Sequence, residues 1–356
     1  MDEKQRNGKR VTINDIARIS GYSKTAVSFA FNDPSRISQK ACTTILEVAE
    51  RLGYYPDPLA RKFSLQRHES IGFLLPQHIH FSFRNPYIMQ VVEGIGSVCQ
   101  KYGNTLTLIP PLNESVLDAV RCAAVDGLIT QGMSMEMGIV ESIRQRKLPF
   151  VTIDGVPSSE MPSVNIDDMG ASREIMLRVL EYGHRDIAII GLSEVSYERH
   201  APESIQKSRM TGYREALRSF GLDLTSESIT IHTAECTLEE GRKVAERILQ
   251  LPDRPTCIVC MSDIVAIGCM LYFSDEHIAV PQDISVVGFD NIVESSFIIP
   301  PLTTVDQPAS EKGRRAAEML FSLIRGEKVP ERHITIVHRL LQRDSLGPVG
   351  ADYEKS

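Results

Sequence analysis

The sequence predicts an all-α head of three short helices followed by an α/β body of two lobes, each a doubly wound parallel sheet. Three observations carry that prediction. Residues 11–31 hold two short amphipathic segments separated by one glycine. From Ser70 onward, short apolar runs alternate with stretches of helical period, and the series is given twice. Charge divides at the same place: residues 1–68 hold 12 Lys and Arg against 7 Asp and Glu, and the remainder holds 27 against 39.

In the head, Thr12 is a good N-cap, and Asp15 occupies the acidic variant of the capping-box position. Ile13, Ile16, Ala17 and, more loosely, Ile19 are spaced for one helical face. Gly21 permits a sharp turn. Ser23 then caps a second helix that turns Ala26, Val27 and Ala30 inward and leaves Lys24, Thr25, Ser28 and Phe29 outward. A third helix over about 39–52 packs Ile45, Val48, Ala49 and Leu52 inward and ends at Gly53. Short helix, glycine turn, short helix is helix-turn-helix geometry, in which the start of the second helix enters the DNA major groove. A helical hairpin with no DNA role has the same periodicity. The basic head on an acidic body suits a polyanionic partner for the head alone, although a surplus of this size also suits a solvated surface.

In the body the expected strands are Ile71–Leu75, Thr105–Ile109, Gly127–Thr130 and Phe150–Ile153, then Ile187–Gly191, Ile229–His232, Cys257–Met261 and Ser285–Phe289. Helical period fills Met89–Tyr102, Ala171–Tyr182, Met210–Phe220 and Leu238–Leu251. Such sheets bind ligands at their carboxyl ends, and a cleft between two lobes is the default pocket.

Several classes are disfavoured. The chain's 356 residues suit two or three compact units. No apolar run approaches the roughly 18–20 residues of a membrane span, and the hydrophilic N-terminus lacks a signal-peptide core, so a cytoplasmic protein is expected. Cys257 and Cys260 resemble a CxxC pair, but a strand would point them to opposite faces, and no second pair or nearby His completes a zinc site. The seven cysteines are read as reduced thiols, and His78 and His80 as loop residues. No metal or cofactor is expected. GxSxG, P-loop and HExxH motifs are absent, and the glycine pair of GIGSVC at Gly94 lies inside a helix, so no enzyme is expected.

The runs VTINDIARISGYSKTAVSFAFNDPSRIS and ILEVAERLGYYPDPLAR resemble the head of the lactose-repressor (LacI/GalR) family, without a gap from Val11 to about Ser64. By that resemblance Lys24 and Thr25 fall on base-reading positions, and Ser23, Ser28 and Asn32 on positions that often touch phosphates. Thr12 joins them at the DNA surface. Phe29 departs from the family, which usually has Arg there. Phe can meet a thymine methyl or pack within the head, but it cannot hydrogen-bond guanine. The segment PDPLARKFS resembles the family's hinge helix, which implies minor-groove contacts from Leu59, Ala60, Arg61 and Lys62 and a wedge at Phe63 where the family has leucine. A flexible basic linker is the alternative.

The body resembles the same family's sensor, itself similar to periplasmic sugar-binding proteins. The resemblance lies in NPYIMQVVEGI, VDGLIT, LPFVTID, EYGHRDIAIIG, SRMTGYREAL, CMSDIVAIG, VPQDISVVGFDN and PPLTTVDQP. It implies effector contacts from Asp154, Arg209, Ser262, Asp290 and Gln307. Carboxylates accept bonds from vicinal hydroxyls, and Arg donates a planar fork. An ion-pair network with Arg209 between Asp154 and Asp290 is the structural alternative. Cys236 and Ala309 stand where some relatives have stacking aromatics, which shifts that role to the first loop, to Phe81, Phe83 or Tyr87. Ile109–Asp126 is shorter than usual, so a trimmed helix is expected there.

The expected organisation is a head at 1–55, a hinge at 56–68, a body at 69–346 and a tail at 347–356. One lobe takes about 69–166 plus 308–335, the other about 167–307 plus 336–346. The expected partners are double-stranded DNA with a near-palindromic operator, a small polar effector such as a sugar, and a second copy in a homodimer. The expected function is that of a transcription regulator of the repressor type; the competing readings are a cytoplasmic solute-binding protein, opposed by the head, and a corepressor-dependent regulator with a non-sugar effector.

Overall fold

The computed structural model describes residues 11–55, 67–75, 79–113, 115–132, 138–156, 161–193 and 204–350. The chain divides into two compact units, Met1–His68 and Glu69–Ser356. The hinge residues Leu59, Ala60, Arg61, Lys62 and Phe63, and His78, lie outside the described residues.

In the head, α1 spans Ile13–Ser20, α2 Lys24–Asn32 and α3 Gln39–Arg51. The Asp15 carboxylate accepts from the Thr12 N–H at 3.1 Å and from its hydroxyl at 2.8 Å, closing the first turn of α1. Gly21 then takes φ 75, a left-handed conformation that costs glycine nothing and ends α1 within one residue. Ser23 caps α2 by accepting the Ala26 N–H at 3.1 Å, and Ser38 caps α3 by accepting the Ala41 N–H at 3.3 Å. Ile16, Val27, Ala30, Ile45, Val48 and Ala49 fill the centre, as their period predicts. Ile19 remains 42% exposed and stands off that face.

Among the described residues the body holds two six-stranded sheets. The first runs β2 (Thr105–Ile109), β1 (Ser70–Leu74), β3 (Gly127–Gln131), β4 (Phe150–Ile153), β5 (Ser163–Asn165) and β11 (His333–Thr335), with every pair parallel. The second runs β7 (Ile229–Ala234), β6 (Ile187–Leu192), β8 (Cys257–Cys260), β9 (Ser285–Asp290), β10 (Thr303–Asp306) and β12 (Arg339–Leu341), parallel except for the last pair. Strand order reverses beside β1 and again beside β6, which makes each sheet doubly wound with its crevice at the carboxyl ends. The chain passes between the sheets after β5, after β10 and after β11. Cys257 and Cys260 face different core clusters across β8, as alternation along a strand requires.

Other elements were not apparent from periodicity. The helix Asp263–Asp275 is buried nearly all round, so it has no amphipathic stripe to detect. Strands β5, β11 and β12 have three residues each, too few to show alternation. The helix between β2 and β3 spans Val116–Cys122. Among the described residues no helix is long and apolar enough to cross a membrane.

Helix Pro86–Lys101 packs on helix Ala309–Ile324 beside the first sheet. A Cβ on Gly94 would lie 1.9 Å from the Ser310 carbonyl oxygen, and one on Gly313 would lie 2.2 Å from that of Val91. The glycine pair of GIGSVC is therefore split in role. Gly94 is the contact point, whereas a Cβ on Gly96 would meet nothing nearer than 3.9 Å. Gly94→Ala is expected to destabilise the body by about 1–3 kcal/mol, the usual cost of overpacking. Gly96→Ala is expected to be neutral or stabilising by up to about 1 kcal/mol through helix propensity. Calorimetric melting of the two variants checks the contrast, and equal melting temperatures would contradict it.

Candidate functional site

Helix α2 presents Lys24 and Thr25 exposed, with Ser28 and Phe29 half-buried. The Ser23 hydroxyl is occupied in its cap, and the Asn32 amide donates to Ser28 Oγ at 3.2 Å. The Thr12 hydroxyl is turned to Asp15, whose carboxyl it holds below the usual range. The Arg36 guanidinium carbon lies 5.3 Å from the centre of the Phe29 ring.

In the body, the polar residues collect at the carboxyl edges of both sheets. Asp154 directly follows β4 with φ 55, and Asp290 ends β9 with φ 130. Non-glycine residues seldom adopt positive φ, and a cost of roughly 1–3 kcal/mol at each is typical where a chain breaks off to place a functional group. Asn85 caps helix Pro86–Lys101 by accepting the Tyr87 N–H at 3.0 Å, which sets Tyr87 in the first turn. Tyr87 is therefore helical and buried rather than a loop platform, and its hydroxyl donates to Asp154 Oδ2 at 2.5 Å.

Asp154 Oδ1 takes a charged partner that sequence reasoning missed. Lys312, fully buried, places Nζ 2.5 Å away. The same ammonium donates to Gln307 Oε1 at 2.7 Å and to the Tyr87 oxygen at 3.2 Å. An ammonium has three protons, and all three have acceptors. Gln307 then donates from Nε2 to Asp290 Oδ1 at 2.5 Å, and Ser262 donates to Asp290 Oδ2 at 3.1 Å. Tyr87, Asp154, Lys312, Gln307, Asp290 and Ser262 thus form one continuous buried chain. It starts on the first sheet and ends on the second, so the two carboxyl edges face one another. A signal for Lys312 existed: it falls on the apolar face of its helix with Ala309, Ala316 and Leu320.

Arg209 stands apart from that chain. It pairs with Asp168, Nε to Oδ1 at 2.8 Å, rather than lying between Asp154 and Asp290. It also donates to the Met261 carbonyl at 2.7 Å, and its guanidinium carbon lies 3.6 Å from the Phe289 ring centre. Asp168 opens helix Asp168–Glu181 and was invisible from sequence, being 41 residues from its partner. Burial raises the Asp168 carboxyl, with Arg209 pulling the other way. Burial likewise opposes the Arg209 charge, but Asp168 and Asp290 outweigh it and raise its pKa.

Phe83 is exposed at 45% and Phe81 at 37%. Beside Phe83, Arg84 reaches Glu239 at the start of the Leu238–Leu249 helix, 3.1 Å away and on the second sheet's side. Burial, then Asp290, push the Cys236 thiol up to about 12, so it stays protonated. Ala309 is buried at the start of its helix. Among the described residues no cluster of His, Cys, Asp and Glu could hold a metal ion.

Residues 12–57 match the family model of bacterial regulatory proteins, lacI family. Residues 178–346 match the model of the periplasmic binding protein-like domain. An HTH-type transcriptional regulator of Mycolicibacterium smegmatis is 31% identical over 337 residues, which cover 88% of this chain and 91% of that protein. The lac repressor dimer bound to operator and the anti-inducer ONPF superposes with a TM-score of 0.76 at 22% identity, covering 95% of this chain and 100% of that one. A LacI-family regulator from Enterococcus faecium with bound ribose gives 0.68 at 22% identity, covering 79% and 100%. The chain belongs to the lacI family of bacterial regulatory proteins. It is a DNA-binding regulator of transcription and not an enzyme.

Behind Asp290 lies a second buried carboxyl. Asp263 accepts from the Thr304 hydroxyl at 2.6 Å and from the Ile292 N–H at 3.0 Å. Burial and then the Asp290 charge push Asp263 from 3.8 up to about 8, and burial pushes Asp290 up to about 6. A carboxyl raised in the folded state holds a proton that the unfolded chain has released. Its stabilisation is therefore complete below about pH 4 and is lost as pH climbs towards the folded value. Between pH 6 and pH 8 the wild-type body is expected to lose stability, and Asp263→Asn should flatten that loss. Calorimetry across the interval checks it; parallel curves for both proteins would show Asp263 ionised throughout.

Proposed function

We propose that this regulator is a repressor whose paired heads grip a near-palindromic operator, and that a sugar or sugar derivative in the interlobe cleft controls it. The observation that carries this reading is the buried polar chain from Tyr87 to Ser262, which links the carboxyl edges of the two sheets. Its carboxylates have lone pairs for vicinal hydroxyls, and the Arg209–Phe289 stack adds a planar donor beside an aromatic face. The ribose held by the Enterococcus faecium regulator supports the ligand class, and the operator complex of the lac repressor supports the DNA partner.

A homodimer fits the apolar surface after β9, where Val293, Phe297 and Ile299 are 64%, 65% and 90% exposed. Two heads related by symmetry read two half-sites, which one small head cannot. A cleft ligand would act by favouring one arrangement of the lobes, and only to the extent that it binds that arrangement more tightly.

The test is calorimetric melting of the full chain against neutral pentoses, hexoses, disaccharides and nucleosides. A cognate compound at about 100 times its dissociation constant should add roughly 2.7 kcal/mol to stability. The same compound should release the protein from DNA selected out of a random duplex pool. Asp290→Asn keeps the side chain's shape and should abolish most of the stabilisation. No shift from any member of the panel would count against a sugar, and an undiminished shift in Asp290→Asn would count against the cleft residues.

A further inference from the structure

Phe29 sits on the outward side of the DNA-reading helix, yet it offers no hydrogen bond and is half-buried. Against its ring stands Arg36. The guanidinium carbon stands 5.3 Å from the ring centre, within the range of a cation–π contact. A second contact fixes the same group: Arg36 Nε lies 2.9 Å from Asp33 Oδ2. Asp33 is itself held, because its N–H donates to the Phe29 carbonyl at 2.9 Å and its Oδ1 accepts from the Ser35 hydroxyl at 2.6 Å. The backbone carrying Arg36 is a single 3-10 turn, Pro34–Arg36, tied by Ile37 N–H to the Pro34 carbonyl at 3.3 Å. Ile37 then packs against the head's core.

The side chain is therefore oriented without being buried, since 63% of it remains exposed. Ring and carboxylate engage one face and one edge of the guanidinium. The edge bearing the two terminal nitrogens lies opposite Nε, and that edge forms the bidentate fork that matches phosphate. The position decides between base and backbone. Bases are read from the first turn of such a helix, where Lys24 and Thr25 lie. Arg36 follows the helix's last residue, where contacts position the protein on the duplex.

We propose that Arg36 clamps a DNA backbone phosphate and that Phe29 is its platform rather than a reader of bases. The proposal rests on the chain's DNA binding and adds a contact residue to it. Phe29 then contributes to affinity through Arg36 and contributes nothing to sequence choice.

The experiment uses the full chain and two duplexes of equal length, one selected from a random pool by the wild-type protein and one of scrambled sequence. Binding is followed across a potassium chloride series. Arg36→Ala should weaken binding to both duplexes about tenfold and reduce the slope of log affinity against log salt by about one. Arg36→Lys keeps the charge but not the planar fork, so it should keep the slope and recover part of the affinity. Phe29→Leu keeps an apolar side chain and removes the ring; it should weaken both duplexes several-fold. The double variant Phe29→Leu with Arg36→Ala should bind no worse than Arg36→Ala alone. Fresh selection with Phe29→Leu should return the wild-type sequence. Thermal melting of each full-length variant by circular dichroism separates lost contact from lost fold. An unchanged slope in Arg36→Ala would overturn the clamp. A changed selected sequence in Phe29→Leu would overturn the platform and make Phe29 a base reader. A wild-type protein that enriches no sequence and shows no salt-dependent binding would overturn DNA binding itself.

Discussion

A lysine ammonium with no exposure to water governs the geometry where the carboxyl edges of the two sheets meet. The desolvation penalty for a buried ion is several kcal/mol even after relaxation, and it is recovered only through close, complete pairing. Lys312 therefore requires Asp154 at 2.5 Å, and its two remaining protons require the Gln307 and Tyr87 oxygens. Gln307 has no freedom to turn its amide: Oε1 faces the cation, so Nε2 faces Asp290. One charge on the first sheet's side thus sets the orientation of an acceptor on the second. On the proposed reading, a ligand entering between the lobes meets groups that already satisfy one another. It must add to their unused lone pairs or displace a bond, and either event changes the link between the sheets.

Much of this architecture was legible. Eight of the nine strands longer than three residues announced themselves by apolar runs, the exception being Thr303–Asp306, and the head by its caps and Gly21. Asp154 and Asp290 stood at strand ends in the sequence, and both close their strands at positive φ. What was not legible depends on pairing across distance. Lys312 and Asp154 are 158 residues apart, and no local period joins them. Asp168 stands ahead of the Ala171–Tyr182 stretch with no local signal that makes it the partner of Arg209. Tyr87 was expected as an open aromatic surface, but capping by Asn85 draws it into the helix and burial turns its hydroxyl to Asp154. Gly94 looked like a weak motif and is where two helix backbones meet.

The head shows the same division between local and non-local. Its helices and core follow from period alone, because six small and branched residues must meet at one centre. The role of Phe29 does not follow from period, because both an outward and an inward reading fit its place on α2. Arg36, seven positions on and past the helix end, supplies what the pattern could not: a cation seated on the ring and tied to Asp33.

The junction of the two sheets depends on the Lys312–Asp154 pair, and a double-mutant cycle in urea unfolding tests that dependence most directly. Lys312→Met and Asp154→Asn each leave one buried charge unpaired, and each alone should cost about 3–5 kcal/mol. The double variant removes both charges and should recover much of that loss, leaving a coupling of about 2 kcal/mol or more. If the two losses instead add within roughly 0.5 kcal/mol, as they do for independent sites, the pair is not the constraint on which the cleft is built.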